Sequence, residues 1–292
     1  MTARAGSPGL LLSLRSLHGP TLATRDRMLE VVARYREPES LAVTLAKAVT
    51  VPVDGVLACA TPMLRAALAE LQTAVPLYVV VPAMSEYERQ ELGPGLESTI
   101  AASRGRTRGT ARMGASGAAA LRPAWMGPGD FVRRMPVLIA SEIAGLDRRN
   151  VRGIVLDAWF TDLALAAQNR KFFESFTRHV QRALSMQAGF DTRNLGTLLA
   201  RLREWELKPD FVVGPLNPSG LLMKPSPEEL LAEVQRSEVP VVARDLCAGG
   251  VDSLDAAAAY ARERGAKGLA PDLAEVDDAA AELRGLLKAA EA

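Results

Sequence analysis

MQAGFDT at 186–192, KPDFVVGPLNP at 208–218 and VPVVARDLCAGG at 239–250 carry one unit three times over. Each is a short apolar run that ends on a polar residue: Asp191, Asn217, and the pair Arg244 and Asp245. Between the first two, Leu195, Leu198, Leu199, Leu202 and Trp205 recur at spacings of three and four, the period of a helix with one buried face. Between the second and third, Ser226 stands three residues before Glu229 and just ahead of Leu230, Leu231 and Val234. That arrangement is a capping-box start to another helix. Strand, helix and strand alternate through the whole stretch from Met186 to Gly250.

The same alternation continues in both directions. Downstream, Ser253 can cap a helix that stops at Gly265, and KGLAP (267–271) then precedes a helix over about 275–290. Upstream, GLLLSLRSLHG (9–19) reads as a buried strand closed by Gly19 and Pro20, and amphipathic helices follow over 24–36 and 40–49. GVLACA (55–60) is a second strand. Thr61 and Pro62 then supply an N-cap and a proline at the first helical position, opening a helix to about Thr73. PLYVVVPA (76–83) is a β-branched strand between prolines, and VRGIVLDAW (151–159) is the fourth strand. A helix over 135–147 with Pro136 near its start precedes that fourth strand. A helix over 168–183, with Phe172, Phe173, Phe176 and Val180 on one stripe, follows it.

Near-continuous apolar strands alternating with helices imply a parallel sheet covered by helices. Eight such units in 292 residues fit an α/β fold of the closed (β/α)8 type, a TIM barrel. An open doubly wound sheet is the competing architecture. It expects a GxGxxG turn after the first strand and two nucleotide-binding halves, and neither is present. The chain therefore reads as one barrel domain over 1–292, with 84–130 as an insertion or lid. Gly, Ala, Ser and Arg dominate that insertion without a period. Arg104, Arg106, Arg108, Arg112 and Arg122 within it are able to grip a phosphate or carboxylate, a solvated surface loop being the plainer reading.

Composition narrows the classes of partner. A net charge of +1 with 24% charged residues provides no global field for nucleic acid or an anionic membrane. Two cysteines, Cys59 and Cys247, make no disulfide framework, and the N-terminal apolar run breaks at Arg15, too early for a signal peptide. No apolar run reaches the length of a membrane span. A cytoplasmic protein with a small-molecule partner is expected, with no nucleic acid and no membrane, and the oligomeric state stays open.

In a barrel of this kind the active site lies at the C-terminal ends of the strands. Those positions are Arg15, Ser16 and His18; Cys59 and Thr61; Asp157, Trp159 and Thr161; Gln187 and Asp191; Asn217; Arg244 and Asp245; and Asp272. Paired carboxylates do general acid and base work when their surroundings separate their pKa values, and arginines hold anions. Asp157, Asp191 and Asp245 are the catalytic candidates, and Arg15, His18, Trp159, Asn217, Arg244 and Asp272 the substrate-binding ones. Taken singly, each aspartate is equally explained as a helix cap or as the partner of Arg15 or Arg244. A charged ring at the ends of apolar strands is better explained as a pocket. His18 and His179 are the only histidines and do not suggest a histidine-ligated metal, whereas Mg²⁺ held by carboxylates stays open. Lys224 is the only lysine near the expected face, and Cys59 and Cys247 are more simply small buried residues than nucleophiles.

GFDTRNLGTLL (189–199), KPDFVVGPLNP, VPVVARDLCAGG and AKGLAPDLAEVDDAAAEL (266–283), taken in order, resemble the C-terminal half of aldo-keto reductases over about a third of the chain. The resemblance implies a TIM barrel and NADPH-dependent carbonyl reduction. The family's Asp, Tyr, Lys and His tetrad has no counterpart here. The second strand ends ACAT, the third lacks lysine and the fourth ends DAW. Where the family binds the cofactor's 2′-phosphate after strand eight, this chain has Asp272, Glu275, Asp277 and Asp278. Three functions follow from these readings. The first is acid-base chemistry on a small anionic metabolite at the Asp/Arg rim, the second a divergent nicotinamide-dependent oxidoreductase, and the third a non-catalytic binding or scaffolding barrel.

Overall fold

Unbroken runs of Val, Ile and Leu favour strands buried on both faces, and in the computed structural model each such run becomes one stave of a parallel ring. The structure describes residues 6–19, 21–83, 128–250 and 253–291. The arginines at 104, 106, 108, 112 and 122, and nearly all of the expected insertion, lie outside the described residues. The strands are β1 (Leu11–Ser13), β2 (Gly55–Cys59), β3 (Leu77–Val81), β4 (Val151–Leu156), β5 (Gln187–Asp191), β6 (Phe211–Pro215), β7 (Val241–Arg244) and β8 (Gly268–Leu269). All neighbours pair in parallel and in sequence order. Bridges from Leu10 to Leu269 and from Ser13 to Asp272 join the last strand to the first. The fold is the expected (β/α)8 barrel.

The outer layer contains α1 (Arg25–Arg34), α2 (Pro38–Ala48), α3 (Pro62–Ala69), α4 (Pro128–Glu142), α5 (Ala158–Ala166), α6 (Arg170–Arg178), α7 (Leu195–Glu204), α8 (Pro227–Arg236), α9 (Leu254–Glu263) and α10 (Ala279–Glu291). The helix starts follow their capping residues. Thr61, Ser226 and Ser253 each accept a hydrogen bond from the backbone N–H three residues on, of Leu64, Glu229 and Ala256. Among the described residues no helix is long and apolar enough to cross a membrane.

Two apolar layers hold the ring. Between helices and sheet, Phe173 stacks edge-on to Phe190 at 5.0 Å and lies 5.5 Å from Trp205, while Phe176 meets Phe190 at 5.3 Å. Inside the ring, Leu11, Leu57, Val155, Val213 and Val242 pack around Tyr78 and Phe211, whose rings meet edge to face at 5.6 Å. Two large rings fit in this narrow interior because glycines face them. A Cβ on Gly153 would lie 2.8 Å from Tyr78, and one on Gly189 would lie 2.7 Å from Phe211.

Several boundaries differ from the sequence reading. VRGIVLDAW does not run as strand to Trp159: β4 stops at Leu156, Asp157 turns the chain and α5 begins at Ala158. AWFTDLALA is apolar on nearly every side, so it carries no helical period to set it apart from a buried strand. The helix expected over 135–147 spans Pro128–Glu142, which puts Pro136 in its interior, where the ring removes one backbone bond. The helix after β2 ends at Ala69, short of Thr73. Gln187, placed by its strand among the rim residues, is the first residue of β5 and lies at the opposite end of the barrel. There it accepts a hydrogen bond from the Tyr78 hydroxyl at 2.7 Å and donates to the Gly6 carbonyl at 3.0 Å.

Candidate functional site at the barrel mouth

Each strand that ends on a polar residue delivers it to the same face, since all eight run in parallel. Asp191, the last residue of β5, is the hub. Its Oδ2 accepts from Arg15 Nη1 at 2.6 Å and its Oδ1 from Arg244 Nε at 2.8 Å. Arg244 also donates to the Thr192 carbonyl at 2.9 Å and pairs with Asp245, so its guanidinium is tied on every side although it is buried. Burial works against its charge, but the Asp191 and Asp245 carboxylates outweigh burial and hold Arg244 above its ordinary range.

Asp157 sits differently. Its Oδ1 accepts from the Trp159 N–H at 2.8 Å, capping α5, and among the described residues no cation lies within ion-pair distance of its carboxylate. Burial, and then the nearby charge of Asp191, push its pKa up to about 6, against the opposing pull of the Trp159 N–H and of the Arg15 and Arg193 charges. A carboxyl placed there exchanges its proton near neutral pH.

These groups surround a cavity of about 150 Å³. Leu57, Ala58, Cys59 and Val80 form its apolar wall, and Arg15, Asp157, Asp191, Arg193 and Arg244 its polar wall. Ser13, His18, Gly19 and Trp159 complete the lining, with Trp159 46% exposed at the opening. The Cys59 thiol faces this space, and burial pushes its pKa well up, which favours the protonated thiol.

No protein-family model and no curated protein matches this chain. The site therefore has to be read from its own residues. Of the nine positions singled out in the sequence, the structure brings six to the cavity wall: Asp157, Asp191, Arg15, His18, Trp159 and Arg244. The other three engage neighbouring backbone and side chains instead. Asn217 donates to the Leu221 carbonyl at 3.1 Å and accepts from the Leu221 N–H and the Ser219 hydroxyl, folding the loop after β6. Asp245, at φ 52°, turns the chain directly after β7 and pairs with Arg244. Asp272 accepts from the Ser13 hydroxyl at 3.0 Å and from the Ser16 N–H at 3.1 Å, fastening the end of the barrel to its beginning.

Two residues at the mouth escaped the sequence reading. Arg193 lines the cavity from just beyond β5. Glu275, known from the sequence only as one of four acidic residues after β8, bridges two loops: Oε1 accepts from the Cys247 N–H at 2.7 Å and Oε2 from the Asp272 N–H at 2.8 Å. Burial pushes its pKa up to about 8 despite those two donors. Arg193 was recoverable from its position two residues after Asp191, whereas the partners of Glu275 come from loops remote in sequence. Among the described residues, no group of three or more His, Cys, Asp or Glu side chains converges as a metal site.

Proposed function

We propose that the barrel mouth is the active site of an enzyme that moves a proton on a small anionic metabolite. The observation that carries this reading is the contrast between two neighbouring carboxylates on one cavity wall. Both oxygens of Asp191 are held by arginines, while Asp157 lines the cavity with no cation in ion-pair contact among the described residues, Arg15 and Arg193 acting on it only at longer range. Carboxylates in such unlike surroundings divide the work: one fixes the local charge and the other exchanges a proton.

In this reading Asp157 is the general base and, after the transfer, the general acid. Its pKa near 6 leaves it mostly ionised at neutral pH and still basic enough to take a proton. Asp191 holds Arg15 against the rim, and Arg244, gripped by Asp191 and Asp245, fixes Asp191 in turn. Leu57, Val80 and Trp159 reduce water access around the reacting atoms, which strengthens every electrostatic contact made there.

The test is solvent-deuterium exchange into a panel of small carboxylates and phosphates, followed by proton NMR. Exchange is expected in at least one compound, rising through pH 6 and lost by at least about a hundredfold in Asp157→Asn. Asparagine caps a helix as well as aspartate does, so this variant removes the base and keeps the turn. Exchange by Asp157→Asn at the parent rate would sink the proposal.

A further inference from the structure

Barrels of this architecture frequently bind an anionic group at the loops after strands seven and eight, using main-chain N–H groups that point into the mouth. In this chain those donors already meet carboxylates. Glu275 takes the N–H of Cys247 after β7 and the N–H of Asp272 after β8, at 2.7 and 2.8 Å. Asp272 in turn takes the N–H groups of Ala274 and Ser16, at 3.0 and 3.1 Å. A phosphate entering this corner meets two acidic side chains where it needs donors.

The opposite wall has the reverse arrangement. Arg193 follows β5 in a loop fastened by Asp162 of α5, whose carboxylate accepts from the Thr192 hydroxyl and from the Arg193 N–H at 3.2 Å. Arg193 lines the cavity, and among the described residues it forms no ion pair, acting on Asp157 only at longer range. Arg15 and Arg244 also line the cavity, but both are engaged by Asp191. A guanidinium offers two parallel N–H donors, which match a planar carboxylate. The volume of about 150 Å³ is comparable to that of a cavity that holds benzene, and so suits a ligand of a few non-hydrogen atoms.

We infer that the site takes a short, unphosphorylated carboxylate gripped by Arg193, with the Glu275 carboxyl group occupying the β7/β8 corner where other barrels place a bound anion. The inference rests on the acid-base reading of the mouth and adds the substrate class and the residue that selects it.

Binding to the full chain, followed by ligand-observed NMR and by thermal shift, tests it without requiring turnover. Propionate, lactate and pyruvate serve as carboxylate probes, with inorganic phosphate and glycerol 3-phosphate as phosphate probes. At least one carboxylate should bind, Arg193→Gln should weaken it by about tenfold or more, and Arg193→Lys should recover part of the loss. Phosphate probes should leave the parent unchanged, and Glu275→Ala should gain a phosphate-dependent rise in its thermal midpoint. If Glu275→Ala does not fold, Glu275→Gln supports the same comparison. Any of three results overturns the inference: no carboxylate probe binds, the binding is indifferent to Arg193→Gln, or the parent prefers glycerol 3-phosphate. The third leaves the acid-base reading intact, and that reading fails separately if Asp157→Asn exchanges deuterium like the parent.

Discussion

Arg244 on β7 reaches past β6 to Asp191 on β5, placing its Nε 2.8 Å from Oδ1 with both side chains buried. Removing one partner of such a pair leaves an uncompensated buried charge, which is more damaging than never having had the pair. Arg244→Met strands Asp245 and leaves Asp191 with Arg15 alone. It is expected to lower the unfolding free energy by about 3–5 kcal/mol, read from urea denaturation. Adding Asp245→Asn should recover part of that loss, and a double variant no better than the single one would show that the two charges are not coupled.

Stability should fall as pH rises from about 4 to about 8. Asp157 and Glu275 bind their protons more tightly in the folded chain, at about 6 and about 8, than at their ordinary 3.8 and 4.5. Folding therefore takes up protons in this interval. The stability conferred is complete below the ordinary values and is lost as pH climbs through the raised ones. Urea midpoints at pH 5 and pH 8 measure the decline. Asp157→Asn should reduce it and be more stable than the parent at pH 8 by on the order of 1–2 kcal/mol. A parent whose stability rises over the same interval contradicts this assignment.

The glycines inside the ring are predicted to be intolerant of a single methyl. Gly189→Ala would place a carbon 2.7 Å from the Phe211 ring and 3.1 Å from Val155, so a buried neighbour has to shift. Overpacking of this kind costs about 1–3 kcal/mol. Gly189→Ala combined with Phe211→Leu should recover much of it, as read from thermal or urea unfolding.

Asn217 should prove to be a loop organiser. Its three hydrogen bonds hold residues 217–221, and Asn217→Ala is expected to cost about 1–3 kcal/mol while leaving carboxylate affinity unchanged. A tenfold loss of affinity with stability intact would return Asn217 to the binding site.

The ring itself was legible because a strand buried on both faces has to be apolar throughout, and PLYVVVPA or FVVGP is apolar by that necessity. The position of the mouth followed from strand direction alone, which is why Asp157, Asp191 and Arg244 were found. Chain direction does not encode which side chains face one another across strands. Asn217, Asp245 and Asp272 were located at strand ends, but their partners come from loops and strands remote in sequence. The α5 segment was missed for a related reason. Its residues are apolar on nearly every side, so the helical period that exposes an amphipathic helix is absent.

The joint between β8 and β1 has a consequence for motion. β8 contributes two residues, and much of what holds it to β1 is the pair of bridges together with the Asp272 contacts to Ser13 and Ser16. A hoop with one slender joint opens there before it bends elsewhere, so amide protons on either side of this seam should exchange with solvent ahead of those in β3 to β6. The first and last staves form the hinge of local breathing, and because Arg15 follows β1 while Asp191 ends β5, their ion pair ties the hinge to the stiffer arc opposite.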